Sequence, residues 1–177
     1  LWRVTDSSKV NKLKGHNGDI SRVAFSPDGD ILASSSNDGT VKFWRASDGS
    51  LIDTLKDLKG GIVTISFSPD GAYLVISDWG PLKLWSVHSN KLVNTLAGQY
   101  SSLSISFSPD GTVLACSGSE ETMSQYSIEL WRVSDSRKYT ILTGHTKPIW
   151  FVSFSPDGTL LLSGSMDGTM RLWGLPK

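Results

Sequence analysis

The sequence is poor in the features that would commit it to a chemistry. Of its 177 residues one is cysteine, Cys116, so no internal disulfide can form and a cysteine cage for zinc is excluded. Such usage fits a reducing compartment, and a cytoplasmic location is expected. Seventeen Lys plus Arg balance seventeen Asp plus Glu, so the net field that draws a protein to nucleic acid is missing. No apolar run approaches the roughly 18 residues that span a bilayer. The first four residues, Leu1 to Val4, do not resemble a signal peptide. Nucleic acid and membrane are therefore not expected as partners. No window holds a sustained helical period, so no helix is there for a phosphate loop to open. Asp28-Gly29-Asp30 lacks the further carboxylates of an EF-hand loop, and no metal or cofactor is expected.

What the sequence does have is repetition, together with 38% hydrophobic residues, enough for a core. The string Phe-Ser-Pro-Asp-Gly begins at Phe25, Phe67, Phe107 and Phe154. An apolar residue followed by tryptophan falls at Trp2, Trp44, Trp85, Trp131 and Trp173, at steps of 42, 41, 46 and 42 residues. Inside a period the pattern is short strands. Ile20 to Phe25 runs into the Pro27-Asp28-Gly29 turn. Ile31 to Ser34 leads to the Asn37-Asp38-Gly39 turn and then to Thr40 to Trp44, a hairpin signature. Leu51 to Leu55 makes a fourth strand, so each period is expected to be a four-stranded antiparallel unit.

One such unit cannot bury both its faces. Ala33, Leu74, Leu114 and Leu162 recur in the second strands, and Val41, Leu82, Ile128 and Met170 in the third. Sheet must therefore stack on sheet, and radial stacking is the propeller solution. The expected fold is all-β, a propeller of four-stranded antiparallel blades with four blades present.

These landmarks, with Gly15-His16, Gly144-His145, Asp38-Gly39-Thr40 and Asp167-Gly168-Thr169, resemble the WD-repeat family of β-propellers over nearly the whole chain. The family's usual Asp after Trp is replaced by Arg3, Arg45, Ser86, Arg132 and Gly174. Repeats are set at about 9–47, 51–88, 91–134 and 138–175 within one segment, 1–177. The resemblance implies seven blades or thereabouts in a closed ring, and a role as scaffold or adaptor in protein or peptide binding.

The resemblance also implies a buried polar tetrad: His16, Ser34 or Ser36, Asp38 and Trp44 in the first repeat, and His145, Ser163 or Ser165, Asp167 and Trp173 in the last. A Ser-His-Asp hydrolase is the tempting alternative, but a catalytic set is assembled once from unlike parts and this one occurs twice. A non-enzyme is expected. The alternatives are the sensory or targeting part of a larger enzyme, or a propeller hydrolase. The middle repeats put Leu58 and Gln99 where the histidine should be, so those blades are expected to rely mainly on apolar packing.

Irregularity collects on one loop face, where Trp79, Tyr100, Glu120, Glu121, Tyr126 and Trp150 are candidates for a protein-binding surface, large aromatic residues being common interface anchors. His88 reads as a solvated corner residue and Cys116 as a small core hydrophobe. Leu1 to Val4 reads as the stub of a third strand, and the last Trp stands at the matching point. The expectation is a piece of a longer array. Missing repeats, self-association of two copies into an eight-bladed ring, or Lys9 to Leu13 completing the last blade could close it.

Overall fold

A computed structural model describes residues 1, 5–6, 11–56, 58, 61, 64–78, 80–96, 102–119 and 126–174. Within them lie fifteen strands and no helix. Blade 1 is β1 (Ile20–Phe25), β2 (Ile31–Ser36), β3 (Val41–Arg45) and β4 (Leu51–Leu55). Blade 2 is β5 (Thr64–Phe67), β6 (Tyr73–Ser77), β7 (Leu82–Ser86) and β8 (Lys91–Leu96). Blade 3 is β9 (Ile105–Phe107), β10 (Val113–Ser119), β11 (Tyr126–Arg132) and β12 (Arg137–His145). Blade 4 is β13 (Ile149–Phe154), β14 (Leu160–Ser165) and β15 (Met170–Gly174). Each is an antiparallel meander, and together they are four blades of a β-propeller. The fourth has three strands among the described residues, one fewer than expected.

The identical strings are explained by one turn built four times. In the first, the Gly29 amide donates to the Ser26 carbonyl at 2.9 Å, and the Asp28 carboxylate accepts from the Ser26 hydroxyl and the Asp30 amide. Pro27 fixes the second position of the turn, and Gly29 closes it at φ +79°, where a Cβ would be strained. Asp70, Asp110 and Asp157 take the same bonds in blades 2 to 4. The strings encode turn chemistry, and they set the register of the first hairpin in every blade.

Three apolar layers lie between successive blades. Blade 1 gives Ala33, Val41, Phe43 and Leu55 to the first, and blade 2 answers with Ile65, Phe67, Leu74 and Ile76. Val75, Leu82 and Leu84 meet Phe107, Leu114 and Trp131 in the second. Ala115, Ile128 and Leu130 meet Ile149, Val152 and Leu161 in the third. The second-strand set read from the sequence mixes two faces. Pairing of Phe25, Phe67, Phe107 and Phe154 opposite Leu32, Leu74, Leu114 and Leu161 shows that these four leucines are equivalent. Ala33 belongs to the opposite face of its strand, and with it Leu162, one residue beyond Leu161. A one-residue slip moves a side chain to the other face of a sheet.

Inner strands neighbour one another in chain order, β1 against β5, β5 against β9 and β9 against β13. Hydroxyls stitch the last pair: Ser104 and Ser106 accept from the amides of Val152 and Phe154 at 3.0 and 3.2 Å. At the outer edge of blade 1, Leu1 and Asn11 exchange backbone hydrogen bonds at 2.7 and 3.3 Å. The Asn11 side chain also donates to the Asp48 carbonyl. The segment around Asn11 therefore lies against blade 1 and does not complete blade 4. Lys9 and Val10 lie outside the described residues.

Candidate functional site

The Ser-His-Asp-Trp sets assemble in both end blades, and the structure selects Ser34 and Ser163 from the pairs left open. His16 Nδ1 lies 3.0 Å from Asp38, its Nε2 lies 2.8 Å from Ser34 Oγ, and Trp44 Nε1 donates to that same oxygen at 2.8 Å. In blade 4 the corresponding distances from His145, Ser163, Asp167 and Trp173 are 2.8, 2.8 and 2.9 Å. Ser36 and Ser165 instead accept from the amides of Asp38 and Asp167. A glycine precedes each histidine because the chain passes close to the tryptophan: a Cβ on Gly15 would lie 3.2 Å from the Trp44 ring. On Gly144 it would meet Arg171, whose guanidinium rests over Trp173.

The arrangement resembles a hydrolytic triad in distances alone. A nucleophilic serine needs an exposed oxygen and donors aimed at a developing oxyanion. Ser34 and Ser163 are buried, and an indole N–H occupies the oxygen that would attack. With the proton on His Nδ1, facing Asp, the hydroxyl donates to Nε2 and accepts from Trp, so every polar group is satisfied. Burial would push the Asp38 carboxyl up. The Thr40 hydroxyl, Asn17 amide, His16 ring and Thr40 amide outweigh it and hold the group well below the usual aspartate range. At Asp167 the Thr169 hydroxyl leads, with His145 and the Thr146 and Thr169 amides adding to it against burial. Both carboxylates are thus fixed in the charged form. The sets act as clamps that tie the loop before the first strand to the turn before the third.

Blades 2 and 3 lack the clamp and pack through apolar layers, as expected, and each adds one buried ion pair. Asp78, fully buried, takes the Gly80 amide and, at 2.6 Å, the Lys83 ammonium. Glu129, also buried, pairs with Lys138 at 2.7 Å, and that ammonium lies 5.4 Å from the Trp131 ring centroid. Ile76 and Cys116 stand where the clamp serines stand in the end blades. The indole nitrogens of Trp85 and Trp131 consequently have no hydrogen-bond partner. Leu58 is buried in the first apolar layer, as its replacement of a histidine requires. Burial, with the nearby Glu129 charge adding to it, pushes the Cys116 thiol far up, so it behaves as the core hydrophobe expected.

Of the candidate binding face, Trp79, Tyr100, Glu120 and Glu121 lie outside the described residues. Tyr126 begins β11, half-buried. Trp150 is 59% exposed, and its cause is a β-bulge. Ile149 pairs with Ser165 and Phe151 with Gly164, leaving Trp150 as the extra residue that the ladder cannot face inward. It lines a shallow concavity of about 360 Å³ with Phe151, Met166 and Met170, beside the β14–β15 turn. His88 is exposed, as expected. A second cleft, of about 560 Å³, opens between blades 2 and 3 on the side of the Pro-Asp-Gly turns, lined by Tyr73, Val93, Arg132 and Tyr139. No local pattern in the sequence marks it, because its walls come from two repeats. Among the described residues no group of His, Cys, Asp or Glu could hold a metal ion. Among the same residues no helix is long and apolar enough to cross a membrane.

Blades of this build, tied by a His-Asp-Ser-Trp clamp, define a WD-repeat propeller, and comparison with known families agrees. The family described as WD domain, G-beta repeat matches residues 7–45, 81–127 and 136–174, more than half of the chain. The chain belongs to the WD40 repeat family. Its relatives include the small ribosomal subunit protein RACK1y of Oryza sativa subsp. japonica, 30% identical over 149 residues, which are 80% of this chain and 43% of that protein. Periodic tryptophan protein 2 of Arabidopsis thaliana is 28% identical over 176 residues, 98% of this chain and 19% of that protein. The Dictyostelium discoideum homolog of the latter is 25% identical over 182 residues, 99% of this chain and 19% of that protein. The chain spans less than half the length of these relatives.

Proposed function

We propose that the chain is a non-catalytic, cytoplasmic scaffold that presents one loop face of its blades to a protein or peptide. The observation that carries this reading is Trp150, a large rigid side chain pushed out of the ladder by a bulge and set beside exposed Met166. Aromatic anchors at the centre of an interface give up little conformational entropy when they bind, because two torsions describe them. The clamps beneath the loops add to this by holding the turns in one conformation before a partner arrives. The rice relative is by name a component of the small ribosomal subunit, which supports a place inside an assembly for chains of this build.

The test is site-specific photo-crosslinking. A crosslinking side chain at position 150 should capture a defined partner, whereas one at Thr159, on the side of the Pro-Asp-Gly turns, should not. Capture of the same species at equal yield from both positions would contradict the assignment of the face.

A further inference from the structure

The cleft between blades 2 and 3 is built by the device that exposes Trp150, used twice. In β8 Asn94 pairs with Leu84 and Leu92 with Trp85, so Val93 is the extra residue of a bulge and is 52% exposed. In β12 Thr140 pairs with Leu130 and Lys138 with Trp131, which makes Tyr139 the extra residue, 43% exposed. Val93 and Tyr139 thereby come to line one space of about 560 Å³, and Tyr73 lines it from β6.

The corner before each outer strand sets whether neighbouring blades are tied together at this edge. Between blades 1 and 2 they are latched: Asn90, the residue before β8, donates from its side chain to the Asp53 carboxylate in β4. Ser136, the residue before β12, has the same left-handed backbone, φ +55° against +49° at Asn90. Asn94 stands in β8 where Asp53 stands in β4, each opposite the residue that precedes the third-strand tryptophan. A serine hydroxyl is shorter than an asparagine amide. Among the described residues no hydrogen bond joins Ser136 to Asn94, and both line the open cleft.

The charge inside the cleft is unbalanced. Asp70 and Asp110 line it from the Pro-Asp-Gly turns of the two blades. Every turn bond they accept goes to Oδ1, which leaves Oδ2 of each without a partner. The Ser68 and Ser108 hydroxyls, then the Ala72 and Thr112 amides, hold both carboxyls below the usual aspartate range, so both are charged at neutral pH. Among the described lining residues the one cation is Arg132, and it already pairs with Asp135 at 3.1 Å. Two carboxylates beside two phenol rings favour a cation, and Leu84, Val93 and Val113 suit an apolar stem behind it.

We propose that this cleft takes an arginine side chain of a partner protein, its guanidinium at Asp70 and Asp110 and its stem along Val93 and Tyr139. Arginine fits better than lysine, because its planar, weakly hydrated head stacks on aromatic rings and its fork of donors can meet two carboxylates. The site lies on the opposite side of the blades from Trp150, so it stands or falls apart from the face proposed above.

Amide chemical-shift titration of the chain with the tripeptide Gly-Arg-Gly, blocked at both ends, tests this. Binding on the order of 1 mM is expected for a single side chain, with shifts around Asp70, Tyr73, Asp110 and Tyr139. The same peptide with citrulline, which keeps the shape and lacks the charge, should bind roughly 10-fold more weakly. Asp70→Asn and Asp110→Asn keep the Oδ1 acceptor of the turn and should each weaken arginine binding roughly 3- to 10-fold. Asp157→Asn, in the turn of blade 4, should leave it unchanged. Asn94→Asp alone adds a carboxylate and should not weaken binding. Asn94→Asp with Ser136→Asn installs the latch of blades 1 and 2 and should abolish binding, with the amide spectrum retained elsewhere. Equal binding of the arginine and citrulline peptides would overturn the inference, as would shifts that follow Asp157 rather than Asp70. So would undiminished binding by the latched double variant, or no shift at roughly tenfold the expected dissociation constant.

Discussion

In blades 1 and 4 the third-strand tryptophan gives its indole hydrogen to a serine that a histidine and an aspartate hold in place. In blades 2 and 3 the same tryptophan finds isoleucine or cysteine beneath it and no acceptor. The difference follows the residue beneath each tryptophan. In blades 2 and 3 apolar packing between neighbouring blades offsets an unmade indole bond of about 1 to 3 kcal/mol. In blades 1 and 4 the clamp, which lies wholly within a blade, ties the loop before the first strand to the turn before the third. The middle blades spend polar chemistry elsewhere, in Asp78–Lys83 and Glu129–Lys138, where a charged pair crosses between strands.

The largest change should come from Trp44→Ala, about 4 kcal/mol in denaturant unfolding, because a buried indole and its acceptor are lost together. Trp173→Ala should cost less, its ring being only half-buried. Lys83→Met should cost about 3 kcal/mol by removing the ammonium from the buried Asp78 carboxylate, and Asp78→Leu added to it should recover most of that. If the single variant is silent, the middle blades do not depend on their ion pair. His145→Ala should cost about 2 kcal/mol by leaving Ser163 and Asp167 short of partners, with the secondary structure intact. Cys116→Ser would give Trp131 the acceptor its counterparts have and should stabilise blade 3 by about 1 kcal/mol.

Acid should produce the smallest effect per residue. A carboxyl lowered in the folded state contributes stability above its unfolded value, 3.8 here, and loses it as pH falls through the folded value. At Asp157 the Ser155 hydroxyl, then the Thr159 amide and hydroxyl, bring that folded value to about 2. Asp38 and Asp167 are lowered in the same sense. Unfolding midpoints should therefore be flat above pH ~4.5 and decline between pH ~4 and ~2. Asp38→Asn should flatten that decline.

The architecture was legible because its markers are local: a Ser-Pro-Asp-Gly turn needs those residue types wherever it occurs, and repetition located every blade. The clamp was legible as residue types but not as a choice between Ser34 and Ser36, since which hydroxyl faces the ring depends on register. Register also explains why Leu74 and Leu114 were grouped with Ala33. The ion pairs left no mark of their own, since a charge between two apolar residues stands at this place in every blade, as Lys42, Lys83, Glu129 and Arg171. Their partners carry no periodic mark. Trp150 was named as a candidate, but its exposure rests on a bulge, which is a property of pairing and has no signature in composition.

The account stands on the clamp being an energetic link within an end blade, and a double-mutant cycle on Ser34 and Trp44 measures that link directly. Ser34→Ala, Trp44→Phe and the double variant, followed by equilibrium unfolding, should give a coupling of about 1 kcal/mol, the net worth of one buried hydrogen bond. A coupling indistinguishable from zero, with both single variants folded, would contradict it.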